Sequence, residues 1–244
     1  MNRSNPALRE SVLRSITTAG VVGERMTIQG AITKSFALIL LAAFSAAWVW
    51  SAVPTKPEIV GPAILIGLIG GLITALLTTF RPNFAPITAP LYAVLEGLAL
   101  GAISAIYQAR YQGLPAQAVG LTCAVALGML IAYRTGLLRA TETFKRVVVS
   151  ATVGIALFYF VTIVLQLFHV STPFLYDSSP IGFGFSLIVT GIAALNLVLD
   201  FDLIEQTARA GAPKYMEWYG GFALLVTLVW LYLEMLRLLA RSRR

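Results

Sequence analysis

The sequence is poor in charge, in cysteine and in histidine. Only 12% of its 244 residues are charged, whereas an average globular chain carries about a quarter, so a soluble domain of this size could not cover its surface. Cys123 stands alone, which excludes a disulfide framework or a thiolate metal cluster. His169 is the only histidine, and no hydrolase, metalloprotease or nucleotide-binding motif occurs. We therefore expect no enzyme and no cofactor.

The sequence consists largely of long apolar blocks. Hydrophobic residues make up 58% of the chain, and about 20 such residues in a helix cross the ~30 Å hydrocarbon core of a bilayer. Residues 1–31 form a polar, basic tail without the apolar core of a signal peptide. Residues 32–244 are expected to form one all-α polytopic membrane domain, a seven-helix bundle with short loops. The predicted spans are 32–53, 59–80, 88–109, 115–134, 144–168, 181–203 and 218–240.

A net charge of +7 is compatible with nucleic-acid binding, since basic patches attract phosphates. Lys and Arg lie mainly at the ends of the apolar blocks, however, which is typical of topology determinants. The lipid bilayer is therefore the expected partner, and no nucleic acid is expected. With the N-terminus in the cytoplasm, twelve of the 18 basic residues lie inside and only Lys56 and Arg110 lie in outer loops.

Four arginines near the C-terminus conflict with this orientation. Arg237, Arg241, Arg243 and Arg244 would lie outside if the last segment crosses the membrane fully. Either the C-terminus is an exception to the positive-inside rule, or the last segment does not cross completely.

Two small-residue motifs indicate close helix packing. Gly67 with Gly71, and Gly97 with Gly101, form GxxxG pairs, which let helix backbones approach closely in membranes. Simple packing is favoured over a pore-lining role.

Three acidic residues lie together near the end of the sixth segment. At ~100° per residue, Asp200 projects to one side of the helix, and Asp202 and Glu205 project nearly to the opposite side. Asn196 lies one turn before Asp200 on its face. Asp202 and Glu205 are near the basic inner loop, with Arg209 one turn beyond Glu205, so a solvated or salt-bridged interfacial role is favoured for them.

Asp200 and Glu234 lie in more apolar surroundings. A carboxylate at membrane depth costs several kcal/mol and normally faces the bundle interior or a water-filled cavity. Two such groups that approach each other could take up a proton, or bind a hard cation such as Ca²⁺ through oxygen ligands. The alternative is an ion pair of Glu234 with Arg237, or of Asp200 with a neighbouring helix. Glu96, in the middle of the third segment, is also expected to face the interior, with Arg81 as a candidate partner.

Specific stretches resemble the Bax inhibitor family, particularly its bacterial YccA-like members, over nearly the whole chain. They are "SNPAL", "ERMTIQGAITKS", "APLYAVLEGLALGAIS", "LDFDLIE" and "EWYGGFALLVTLVWLYLEMLRLL", in this order. The resemblance implies a bundle whose last helix is central. It also implies a pH-sensitive leak of cations, chiefly Ca²⁺, and a role in restraining cell death or stress proteolysis.

The resemblance further implies an acidic pair on the sixth and seventh helices. Asp200 and Glu234 occupy its places, with glutamate standing where the family has its second aspartate. The expected function is therefore ion transport by a pH-sensing Ca²⁺ leak channel in a bacterial cytoplasmic (inner) membrane. The alternative is a regulator without transport that binds another membrane protein, such as a protease.

Overall fold

The computed structural model describes residues 24–168 and 180–243. The basic tail up to residue 23 and His169 lie outside the described residues. Within that part of the chain, the structure is helical apart from turns and an isolated β-bridge between Arg25 and Pro213. Seven helices are long and apolar enough to span a membrane, which confirms the predicted all-α, seven-helix class. They are α1 (Ile28–Ala52), α2 (Val60–Phe80), α3 (Ala85–Arg110), α4 (Leu114–Arg134), α5 (Glu142–Leu167), α6 (Pro180–Arg209) and α7 (Met216–Ser242).

Helix ends differ most from the sequence prediction at α1 and α6. α1 begins at Ile28 because Thr27 is its N-cap and accepts a hydrogen bond from the Gly30 amide at 2.9 Å, so the predicted boundary at 31/32 falls one turn inside the helix. α6 continues six residues past the predicted end at 203. An apolar run in the sequence ends at the edge of the hydrocarbon core. The helix itself continues beyond that edge and ends just before Gly211, which adopts a positive φ of 68°.

α7 is the central helix of the bundle. It has buried residues from Glu217 to Arg241 along its whole length, and it packs against α1, α3, α4 and α6. α5 is peripheral, because its main helix contact is with α6 and most of its surface is exposed to the surroundings of the bundle. The N-terminal half of the bundle is held by α3, which packs on both α1 and α2.

The two GxxxG pairs are packing sites. A Cβ added at Gly67 would lie 2.6 Å from Ala99 Cβ, so α2 and α3 approach closely there. A Cβ added at Gly97 would lie 2.4 Å from the Ala42 carbonyl oxygen, and one at Gly101 would lie 2.3 Å from that of Ala46. No side chain larger than hydrogen fits at these crossings.

The two ends of the bundle are set by contacts between distant segments. We call the end at which α1 begins the N-side and the end at which α7 ends the C-side. On the N-side, the Met26 amide donates to the Ala212 carbonyl at 2.8 Å. On the C-side, Arg243 donates to the Gln112 carbonyl at 3.0 Å and to Gln117 Oε1 at 2.8 Å. α7 therefore crosses the bundle from the N-side to the C-side, and its 27 residues are long and apolar enough to span a membrane.

Candidate functional site

Glu234 lies inside the bundle in a compact polar triad. Only 2% of its side chain is exposed, and the Arg237 Nη1 contacts its carboxylate oxygens at 2.8 and 3.0 Å. The Tyr159 hydroxyl of α5 donates to Glu234 Oε1 at 3.0 Å. Arg237 also donates to the Tyr159 oxygen at 2.5 Å. The ion pair with Arg237, which the sequence left open as one alternative, is therefore formed.

Asp200 has no comparable partner. Its Oδ2 atom is buried and accepts no hydrogen bond, although the Thr227 side chain of α7 lies beside the carboxyl group. The Thr227 hydroxyl donates to the Ala223 carbonyl of its own helix at 3.3 Å. A buried acceptor without a donor costs about 1–3 kcal/mol, so Asp200 is an energetic liability in this packing.

The two predicted sensor acids lie at different depths. Asp200 is level with Thr227, and Glu234 follows Thr227 by seven residues, which is about 10 Å along the axis of α7. No hydrogen bond or ion pair joins Asp200 to Glu234 among the described residues. Asp200 of α6 therefore lies beside one level of α7 and Glu234 lies two turns further along α7, so each acid has its own surroundings.

Asn196 connects α6 to α5 one turn before Asp200. Its Nδ2 donates to the Thr152 hydroxyl at 2.8 Å and to the Ile192 carbonyl at 2.8 Å. Among the described residues, the buried side-chain atoms without a hydrogen-bond partner are Asp200 Oδ2 and Ser186 Oγ, and both lie on α6.

Asp202 and Glu205 form a paired cluster on the N-side. Lys145 at the start of α5 contacts Asp202 Oδ2 at 2.9 Å. Arg209 contacts Glu205 at 2.5 Å, one turn later on α6. The Tyr133 hydroxyl at the end of α4 donates to Glu205 at 2.6 Å. These contacts place both acids in the salt-bridged interfacial setting that the sequence favoured for them.

Glu96 is 91% buried, yet it has no ionic partner. Its side chain extends toward α2, where its Oε2 atom lies 2.7 Å from the position that a Cβ on Gly71 would occupy. No hydrogen bond or ion pair to Glu96 occurs within the described ranges. Arg81 is exposed and follows Gly71 by ten residues, about 15 Å along α2. The suggested pair between Glu96 and Arg81 is therefore not formed.

Sequence reasoning missed a buried acid, Glu217. Its residue is 2% exposed, and its Oε1 accepts hydrogen bonds from the Thr27 amide and hydroxyl, both at 3.0 Å. This carboxylate ties the start of α7 to the start of α1, where the helix dipole favours a negative charge. A Cβ on Gly30 would fall 2.0 Å from it. The signal was present as an acid directly before an apolar run, but such acids are ordinary helix caps.

Tyr159 was missed as well, because an isolated tyrosine in an apolar segment carries no positional signal of its own.

Around these carboxylates, no group of three or more His, Cys, Asp or Glu side chains among the described residues could hold a metal ion. A Ca²⁺ site at Asp200 and Glu234 stays a prediction. Cys123 is exposed on α4.

These features define a polytopic α-helical membrane protein with carboxyl groups buried among its helices. The family model described as Bax inhibitor 1 like matches residues 5–244. The chain therefore belongs to that family, as its sequence motifs predicted, and the bacterial YccA-like subgroup stays a prediction. No curated protein and no solved structure matches the chain significantly.

Proposed function

We propose that this protein is a pH-sensitive leak pathway for cations, with Ca²⁺ as the favoured ion. The observation that carries the proposal is the buried Asp200 Oδ2 atom, which accepts no hydrogen bond in the middle of a membrane bundle. Acidic groups within membrane helices are costly and mark ion pathways and proton relays. A structural role would call for a partner, as Glu217 and Glu234 both have.

Two acids in series suit this function. Asp200 is about nine residues, or ~14 Å, from the N-side end of α6, so it lies near the middle of the hydrocarbon region. Glu234 lies about 10 Å further toward the C-side and is neutralised by Arg237. Each carboxylate offers oxygen ligands of the kind that Ca²⁺ prefers. Protonation of either acid would remove a charge from the route, and this couples flux to pH.

The orientation belongs to the same proposal. The N-side is placed in the cytoplasm, on the basis of the bias of twelve basic residues against two in the loops. A bacterial cytoplasmic membrane is the proposed location. The C-side arginines are then outside, where the end of the α7 dipole favours cations.

Flux from liposomes tests the proposal. Purified protein is reconstituted with an internal Ca²⁺ indicator, and Ca²⁺ entry is followed against protein-free vesicles and against vesicles that contain Glu234→Gln or Asp200→Asn. Entry that depends on the protein and changes in both variants supports the leak function. Wild-type vesicles as tight as protein-free ones would contradict it and favour the regulator that binds another membrane protein.

A further inference from the structure

α5 carries a line of polar residues at seven-residue spacing. Lys145, Thr152 and Tyr159 are followed by Gln166 at the same interval. Seven residues are close to two turns of an α-helix, so these side chains share one face of α5, and Lys145 and Tyr159 are about 21 Å apart along it. A stripe of this length covers most of a ~30 Å hydrocarbon core.

This face is the one that α5 turns toward the bundle. Lys145, Thr152 and Tyr159 are half-buried, whereas their neighbours Val153 and Phe160 are 51% and 64% exposed. Val148 and Thr162, three residues after Lys145 and Tyr159, are the buried residues among the side chains of α5 that the structure describes. The seam of α5 therefore alternates polar positions with Val148, Ile155 and Thr162.

Lys145, Thr152 and Tyr159 each meet an acidic or amide side chain of α6 or α7. Lys145 contacts Asp202 at 2.9 Å on the N-side. Thr152 accepts from Asn196 at 2.8 Å near the middle. Tyr159 donates to Glu234 at 3.0 Å toward the C-side.

Apolar packing alone would not select these residues. α5 has few other contacts with the bundle, and three leucines at these positions would attach it without polar groups in the hydrocarbon region. Polar contacts between membrane helices contribute only about 0.6 kcal/mol on average. The seam holds α5 by several weak bonds, each of which water or an ion could replace.

We infer that the cation crosses along this seam, between α5 and the α6–α7 pair, and that Thr152 and Tyr159 line its route. This inference rests on the proposed leak function and adds the path. The Asp200 Oδ2 atom lies on α6 one turn from the middle contact and accepts no hydrogen bond in this packing. Together with the Thr152 hydroxyl group, it offers oxygen ligands to a cation whose water shell is partly removed. Tyr159 borders the route toward the C-side, where its oxygen accepts from Arg237 and its hydroxyl donates to Glu234.

Cysteine modification tests the route. In a Cys123→Ala background, Thr152→Cys and Tyr159→Cys are compared with Val153→Cys and Phe160→Cys, which lie at the same depths on the exposed face of α5. The probe is a membrane-impermeant, positively charged methanethiosulfonate, applied to proteoliposomes under conditions of Ca²⁺ flux. Thiol modification needs the hydrated thiolate, so Thr152→Cys should react at least about tenfold faster than Val153→Cys and lose flux on modification.

The outcomes separate the route from the function. If Thr152→Cys and Tyr159→Cys conduct Ca²⁺ but react no faster than their neighbours, the route is wrong and the leak function stands. If the wild type conducts nothing, both proposals fail. Because Tyr159→Cys also removes a bond to Glu234, Thr152→Val serves as a second variant. It removes the hydroxyl group at nearly the same side-chain volume and should lower Ca²⁺ flux, whereas wild-type flux in Thr152→Val would overturn the inferred role of that hydroxyl.

Discussion

Glu234 and Arg237 form a salt bridge one turn apart on the central helix, with 2.8 Å between Oε1 and Nη1. The carboxylate side chain is 2% exposed and the guanidinium side chain is 38% exposed. Arg237 thus reaches toward the bundle surface, and Glu234 lies inside. Tyr159 joins the pair from α5. Replacing Arg237 alone should therefore affect the stability of the protein very differently from replacing Arg237 and Glu234 together.

Arg237→Met should destabilise the protein strongly. It leaves a buried carboxylate without its cation, which typically costs about 3–5 kcal/mol. Glu234→Gln combined with Arg237→Met should cost less than Arg237→Met alone, because no buried charge remains. Unfolding in mixed micelles measures both. The control is Arg209→Met, which removes a pair whose side chains are 74% and 30% exposed and which should cost at most about 1 kcal/mol. Equal losses in the two single variants would show that the Glu234 pair is not effectively buried.

Gly30→Ala should separate α1 from α7 on the N-side. The added Cβ would lie 2.0–2.4 Å from the Glu217 carboxylate atoms, so the carboxylate must leave Thr27. Overpacking of this kind costs about 1–3 kcal/mol, and the thermal midpoint should fall. Gly61→Ala is the matched control, since nothing lies within 4 Å of its added Cβ. If Gly30→Ala has the same thermal midpoint as Gly61→Ala, the Glu217 carboxylate does not occupy this position.

Asp200→Asn should make the protein more stable. The Oδ2 atom accepts no hydrogen bond in the native packing, and an unpaired charge within membrane helices costs several kcal/mol, which the neutral amide avoids. Asp202→Asn should do the reverse, because it breaks the contact with Lys145. Thermal unfolding at neutral pH measures both variants. Loss of stability in Asp200→Asn would indicate a partner for the carboxylate that this packing lacks.

The contact between Glu24 and Lys214 should be sensitive to acid. The hydrogen bond and the charge of Lys214 hold the pKa of Glu24 below its ordinary value of 4.5. A lowered folded-state pKa stabilises the fold at pH values above the ordinary one, and the effect is lost as the pH falls through the folded-state value. The difference in thermal midpoint between the wild type and Glu24→Gln should therefore be small and positive at pH 6 and vanish in acid.

The control for that series is Glu58→Gln, which removes an exposed acid from the turn before α2. It should shift the midpoint little at any pH. A difference for Glu24→Gln that grows as the pH falls would contradict the assigned sign.

The number and class of the helices could be predicted from the sequence because length and hydropathy alone determine whether a helix can span a bilayer. The depth of each acid could not, because it depends on register between helices. The sequence indicated that Asp200 and Glu234 form a pair. The structure places Asp200 beside Thr227, which lies seven residues before Glu234 on α7. Glu217 escaped notice since its partner, Thr27, is 190 residues away.

In the proposed leak pathway, Asp200 senses protons on the cation route. The most direct measurement is Ca²⁺ flux into liposomes from about pH 6 to 8 for the wild type, Asp200→Asn and Asp202→Asn. A change of one pKa unit between two states is worth ~1.4 kcal/mol and shifts a balanced gate about tenfold. We expect Asp200→Asn to remove most of the pH dependence and Asp202→Asn to keep the midpoint while altering the size of the flux. A midpoint that moves in Asp202→Asn and stays in Asp200→Asn would contradict the role of Asp200 as the proton sensor.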